Sequence, residues 1–198
     1  MSGDHSDATG RVAARVRRLE ALLERRGLLD ARELDAALEA FLARSSTANG
    51  ARLVARAWVD RSFCARLQSD ANAAIEEMGL SMGGGIQQQQ LIVVANTARL
   101  HNVIVCTLCS CYPIALLGPS PTWYKSEAYR SRVVRDPRGV LSEFGFELDA
   151  AVQVSVWDST AESRYMVLPR RPSGTDELDE AELASLVTRN GLIGVSPL

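Results

Sequence analysis

The chain has little of what most metal-site and nucleophile chemistry draws on. It carries only two histidines, His5 and His101, and neither stands at a spacing that supplies it with a partner ligand. No second CxxC and no Cys-His pair accompanies its four cysteines, which excludes the usual zinc frameworks. Four thiols in 198 residues do not make a disulfide scaffold either. The net charge is only −2, with no basic surplus, so a nucleic-acid footprint is not expected. The polar start, Met1 to Gly10, lacks the apolar core of a secretory signal. The longest apolar run, Val103 to Gly118, is interrupted by Cys, Thr, Ser and Pro and is too short to span a bilayer. These absences, with 46% apolar residues, lead us to expect a soluble, cytoplasmic, globular chain with no membrane or nucleic-acid partner.

What is present is concentrated in one stretch, Val105-Cys106-Thr107-Leu108-Cys109-Ser110-Cys111-Tyr112-Pro113. Its C-x-x-C-x-C spacing places three thiols within six residues. A disulfide between Cys109 and Cys111 would be strained away from its usual Cα separation. Soft thiolates converging on one metal ion account for the spacing better. Because a fourth side-chain ligand is missing, the ion expected is one that also accepts backbone ligands. The amide nitrogens of Ser110 and Cys111 can fill an equatorial plane if deprotonated, which favours a highly charged, low-spin ion such as cobalt(III) or iron(III). Cys64 stands apart in an amphipathic stretch and reads as a buried, inert thiol.

Val-Cys-Thr-Leu-Cys-Ser-Cys resembles the metal-claw motif of the nitrile hydratase α subunits. His101-Asn102-Val103, Trp123-Tyr124-Lys125, Arg135-Asp136-Pro137-Arg138, Arg164-Tyr165-Met166-Val167-Leu168-Pro169 and Leu192-Ile193-Gly194-Val195 resemble the family in the same order and at matching separations. Thr107 resembles the cobalt type, where the iron type has serine. The resemblance implies that Cys106 is an unmodified axial ligand. Cys109 and Cys111 become equatorial sulfurs, oxidised to sulfinate and sulfenate, and the Ser110 and Cys111 amides complete the plane. It implies hydration of a nitrile to a carboxamide at a non-corrin cobalt(III) centre, with iron(III) second. The attacking oxygen is either that of an activated water or the sulfenate oxygen of Cys111, and both routes stay open. It further implies a β subunit, whole or split into two chains, that supplies two arginines to the sulfur oxygens, and a metallochaperone or activator for cobalt insertion. Gln87 matches, by its distance from Cys106, a glutamine near the family's pocket, and Ser110 adds a hydroxyl beside the metal. Tyr124, Lys125, Arg138 and Arg164 read as scaffold, and Glu76 and Glu77 as a solvated helix face. One departure bears on substrate: Ile114 stands where the family usually has tryptophan. A lost aromatic wall suits a bulky nitrile, such as the nucleoside nitrile toyocamycin. The alternatives are a thiocyanate hydrolase cobalt subunit, which tends to place a basic residue at that point, and a catalytically silent metal or thiol module on the same scaffold.

The fold class expected is α+β: a helical arm over residues 1–48, then a layered α/β domain with short strands over 49–198. In the arm, Val12, Val16, Leu19, Leu22 and Leu23 have helical spacing, and Gly27 can stop that helix. Asp30 with Glu33 opens a second helix that runs to about Arg44. Two such amphipathic helices either pair with each other or embrace a partner, and the resemblance favours a partner. Ser45 to Gly50 reads as a polar hinge. Helices then run from Ala51 to Met78, broken near Asp60 and Ser69-Asp70, with a turn at Gly83-Gly84-Gly85. Leu91 to Val94 and Val103 to Val105 read as strands, and Pro113, Gly118, Pro119 and Pro121 as punctuation of an irregular segment. Pro137 to Phe144 reads as a helix ended by Gly145. Val152 to Trp157 and Arg164 to Leu168 read as a hairpin, and Glu180 to Arg189 as a helix boxed by Asp179 and Glu182 and ended by Gly191.

Overall fold

The computed structural model describes residues 3–82, 89–109 and 111–197. It divides into two units, Met1–Phe41 and Leu42–Leu198. The first holds α1 (Gly3–Arg25) and most of α2 (Ala31–Arg44). Gly27 adopts φ +64, where a side chain would be strained, and its N–H donates to the Glu24 carbonyl at 2.9 Å. Asp30 Oδ1 accepts from the Arg32 and Glu33 amides at 2.8 and 3.4 Å, the cap the spacing predicts. α2 buries none of its residues, and Val12, Val16, Leu19, Leu38 and Leu42 are all exposed. The apolar stripes lie open to solvent in the single chain.

The second unit begins earlier in helix than expected. α3 (Thr47–Val59) absorbs most of the anticipated hinge, because the Ser46 hydroxyl accepts the Ala48 N–H at 3.2 Å and starts the helix there. Gly50 is not a hinge: a Cβ on it would stand 2.8 Å from Leu192 Cδ1 and 2.9 Å from the Leu116 carbonyl. α4 (Arg61–Ser69) and α5 (Ala71–Glu77) break where the two aspartates fall. Asp60 Oδ1 accepts from the Ser62 and Phe63 amides, and Asp70 Oδ1 from that of Ala73, so each aspartate ends one helix and caps the next. The backbone bond from Phe63, then the Ser62 hydroxyl, holds the Asp60 carboxyl below its ordinary range. The turn anticipated at Gly83-Gly84-Gly85 lies outside the described residues.

Four strands follow: β1 (Gln90–Ala95), β2 (Leu100–Val105), β3 (Gln153–Asp158) and β4 (Ser163–Leu168). The expected β3–β4 hairpin does not form. β4 lies parallel to β1, with Gln90 opposite Ser163 and Ala95 opposite Leu168, and β3 lies parallel to β2, from Leu100↔Gln153 to Val105↔Asp158. The turn between β3 and β4 is committed elsewhere: the Ser159 N–H donates to the Val105 carbonyl at 2.7 Å, and the Gln90 N–H to the Glu162 carbonyl at 2.8 Å. β4 also buries Arg164, Met166, Val167 and Leu168, a nearly continuous run that suits a covered parallel pair rather than a half-solvated hairpin.

The segment after the claw is more regular than anticipated. α6 (Ile114–Leu117), a 3-10 turn (Thr122–Lys125), α7 (Glu127–Arg132) and α8 (Pro137–Glu143) fit between the prolines and glycines, with Pro113, Pro121 and Gly118 at their boundaries. α9 (Glu180–Leu186) carries the predicted capping box, Asp179 with Glu182, but ends at Leu186. Gly191 does not stop it. It lies buried inside α10 (Arg189–Ile193), whose cap is Thr188, and the stop is Gly194 at φ +91. Among the described residues no helix is long and apolar enough to cross a membrane.

The core that positions β2 is Leu53, Val54, Val103, Ile104, Val105, Leu192 and Ile193, all fully buried. At its edge sits the buried His101, whose Nε2–H donates to the Gly194 carbonyl at 2.7 Å while Nδ1 accepts from Asn96 Nδ2 at 3.2 Å. A neutral imidazole satisfies both bonds, and burial lowers its pKa against the upward pull of the Gly194 carbonyl. The unfolded chain takes up a proton below 6.5 that the folded chain excludes. Stability therefore falls as pH drops through that value, and keeps falling until the lowered folded value is reached. Urea unfolding between about pH 7.5 and about pH 5.5 should show wild type losing more stability than His101→Gln, by up to one proton's worth of linkage. Equal losses would mean that His101 is not held neutral. Gly194→Ala should cost about 2 kcal/mol or more in the same assay, since the left-handed backbone is strained for alanine and its Cβ would overlap the Asn102 carbonyl.

Candidate metal centre

The strand β2 delivers the claw. Val105 is its last residue, and the chain leaves the sheet at Cys106, which is 1% exposed, then passes to an exposed Cys109 and a half-buried Cys111. Their sulfurs converge: Cys106 to Cys109 is 3.3 Å, Cys109 to Cys111 is 3.2 Å, and all three lie within 4.8 Å of one another. None of the three is in a disulfide, and the Cys109 N–H points at the Cys106 sulfur at 3.4 Å. Three thiols sharing one centre form a donor set that fits a soft-ligand transition metal, and among the described residues this is the one such cluster. Ser110 and Gln87 lie outside the described residues. Burial pushes the Cys111 thiol up to about 12, reinforced by its contact with Cys109, while the nearby Arg164 guanidinium pulls the other way.

The turn holds its shape through side chains from three elements. Asp158, the last residue of β3, sits opposite Val105 in the parallel register. Its Oδ1 accepts the Thr107 N–H at 2.9 Å and its Oδ2 the Thr107 hydroxyl at 2.5 Å. From α7, Arg130 Nη1 donates to the Thr107 carbonyl at 3.2 Å and to the Cys109 carbonyl at 3.3 Å. From the 3-10 turn, the buried Tyr124 hydroxyl donates to the Cys111 carbonyl at 3.1 Å. Asp158 and Arg130 escaped the reading of the sequence, since both act across a strand pairing that local patterns do not carry.

The remaining candidates separate cleanly. Ile114 opens α6, half-buried against the core, with its N–H donating to the Tyr112 carbonyl at 2.9 Å. Arg164 is buried and donates to the Ser163 and Thr160 carbonyls, a scaffold role, although its charge reaches Cys111. Arg138 ties down the loop before β3 through the carbonyls of Leu148, Asp149 and Val152. Glu77 is exposed and paired with Arg66 at 2.8 Å. Cys64 is half-buried rather than fully buried, and its sulfur accepts from Gln68 Nε2 at 3.2 Å. A surface hollow of about 800 Å³, bordered by Asn72, Gln90 and Glu162, includes none of the claw cysteines.

Known proteins share both sequence and shape with this chain. It is 51% identical over 185 residues to the alpha subunit of a low-molecular weight cobalt-containing nitrile hydratase from Rhodococcus rhodochrous, spanning 93% of this chain and 88% of that subunit. It is 46% identical over 154 residues to the gamma subunit of a thiocyanate hydrolase from Thiobacillus thioparus, spanning 74% and 63% respectively. A double mutant of the Fe-type nitrile hydratase from Comamonas testosteroni Ni1 has a chain that superposes with TM-score 0.85 at 43% identity, covering 96% of this chain and 91% of its own. The α+β fold is therefore that of these subunits. Residues 10–196 match the family described as nitrile hydratase, alpha chain, and the chain belongs to that family.

Proposed function

We propose that this chain is the metal-bearing subunit of a cobalt nitrile hydratase, hydrating a nitrile to its carboxamide together with a β subunit. The observation that carries the reading is the convergence of three cysteine sulfurs within 4.8 Å at the end of β2, in a chain whose relatives include cobalt-containing nitrile hydratases. Cys106, Cys109 and Cys111 would hold a non-corrin cobalt(III) ion through sulfur, together with the backbone amides of Ser110 and Cys111. Bound there, the ion supplies Lewis acidity toward the nitrile and toward water. In support of this reading, Cys106 is shielded while Cys109 and Cys111 are more open, as their oxidation by dioxygen to sulfinate and sulfenate would require. Cys111 then presents a sulfenate oxygen at the reacting centre, and Gln87 and the Ser110 hydroxyl orient the substrate.

The β subunit, in one chain or two, would contribute arginines to the sulfur oxygens and cover the exposed stripes of α1 and α2 in the arm, residues 1–48. A metallochaperone would load the cobalt. Thiocyanate hydrolysis is the second reading, supported by the gamma-subunit relative; the neutral Ile114 argues for nitriles over an anion. Metal analysis with intact mass on the co-purified complex tests the whole. One cobalt per chain and the mass of three added oxygens are expected, with nitrile turnover and none of thiocyanate. No metal, or metal without turnover, would favour a silent thiol module.

Four substitutions follow. Cys109→Ala or Cys111→Ala should abolish cobalt retention and activity, while Cys64→Ala should change stability only, by about 1 kcal/mol. Metal content and turnover of the purified complexes check both, and full activity of Cys111→Ala would sink the mechanism. Ile114 is proposed to leave room for a bulky nitrile of the toyocamycin kind. Ile114→Trp should then lower kcat/KM for a large heteroaromatic nitrile about tenfold more than for a small aliphatic one. Equal losses on both substrates would make Ile114 a packing residue.

A further inference from the structure

We propose that Arg130 is a positioning residue for the metal, closing the claw turn through the carbonyls that flank Leu108. The inference rests on the metal-centre reading above. The turn from Cys106 to Cys109 has no apolar anchor at its tip, since Leu108 is 90% exposed. Its conformation must come from polar contacts. One Arg130 nitrogen donates both to the Thr107 carbonyl at 3.2 Å and to the Cys109 carbonyl at 3.3 Å. Two carbonyl dipoles brought to one point repel each other, and a guanidinium reverses that sign with charge-assisted bonds. Asp158 takes the Thr107 N–H and hydroxyl, so the donors of that residue are held by an anion and its carbonyl by a cation.

Arg130 is itself well referenced. Its neighbour Tyr129 is buried and donates its hydroxyl to the Ile104 carbonyl at 2.8 Å, in the strand that delivers Cys106. Ser126 caps α7 by accepting the Tyr129 N–H at 3.2 Å. Arg130 and Cys106 therefore share β2 as a common frame. The guanidinium is drawn in far enough that Arg130 Nε is buried with no hydrogen-bond partner among the described residues, a feature that calls for a reason. Orientation of the claw is that reason. With the Thr107 and Cys109 carbonyls turned to one cation, the Cys109 N–H stays directed at the Cys106 sulfur, the arrangement in which the three sulfurs meet. Groups that orient metal ligands from behind commonly change metal affinity about 10- to 100-fold when removed.

The test uses the full chain co-produced with its β partner in cobalt medium, as wild type, Arg130→Lys, Arg130→Gln and Arg130→Met. Readouts are cobalt per chain, the thiolate-to-metal absorption band, the rate of cobalt loss to excess EDTA, and the thermal midpoint. Arg130→Met should lose cobalt about tenfold faster with a shifted band. Arg130→Lys, which keeps a cationic donor, should recover most of the difference, while all midpoints stay close to wild type. Loss of cobalt from Arg130→Met at the wild-type rate, or equal losses in Lys and Met tracking their midpoints, would overturn the inference. If Arg130→Met does not fold, the comparison of Lys with Gln decides: faster loss in Gln supports the role, and wild-type rates in both refute it. A wild-type complex that binds no cobalt would instead overturn the metal-centre reading.

Discussion

The parallel pairing of β2 with β3 carries everything at the claw. Its last rung sets Val105 opposite Asp158, and one residue further on the two chains part. On one side the backbone enters the three-cysteine turn; on the other, Ser159 returns its N–H to the Val105 carbonyl and closes the ladder. From its place opposite Val105, the single carboxylate of Asp158 reaches both the amide and the hydroxyl of Thr107, two residues further on. A register slip of one residue would turn Asp158 to the other face and leave the Thr107 N–H and hydroxyl without their acceptor. Placement of the sulfurs is thus a property of strand register before it is one of the turn.

Register in turn depends on what packs above β2. His101 and Asn102 face the end of α10, where Gly194 accepts the imidazole and leaves no room for a side chain against the Asn102 carbonyl. Asn102 donates to the Ala95 carbonyl and the Asn96 side chain, and its own oxygen accepts the Trp157 indole N–H at 2.8 Å. One buried amide thereby ties β2 to the end of β1 and to β3. A network so fully satisfied specifies one arrangement, because each displaced member would leave a buried polar group without a partner.

How much of this can be seen in the sequence depends on range. The three cysteines, the helix breaks near Asp60 and Asp70, the Asp179–Glu182 box and the stop at Gly145 are all local signals, and each predicts a feature that the structure contains. Strand partners are not local. Val154 and Val156 alternate identically whether β3 faces β4 in a hairpin or β2 in a parallel pair, so the nearer partner was the natural expectation. Gly191 and Gly194 stand three residues apart and either can stop a helix; only tertiary packing decides that the second takes φ +91. Asp158 and Arg130 touch Thr107 across separations of 51 and 23 residues, and nothing beside them in the chain announces it.

The claw is supported from behind and open at its tip. Asp158, Arg130 and Tyr124 fix its backbone, yet Leu108 and Cys109 are exposed, and so are the apolar stripes of α1 and α2. Support behind a site lowers the cost of organising ligands when the ion arrives, and an open tip leaves room for a reacting molecule. Openness also carries a cost. Solvated sulfur oxygens would spread their charge into water, whereas a partner that excludes water and supplies cations would concentrate it at the reacting centre. A backed turn on one chain and an uncovered tip are what a site needs if its chemistry is to start only on assembly. The proposed division of labour follows from that arrangement: this chain holds the ion, and the partner makes the surroundings dry.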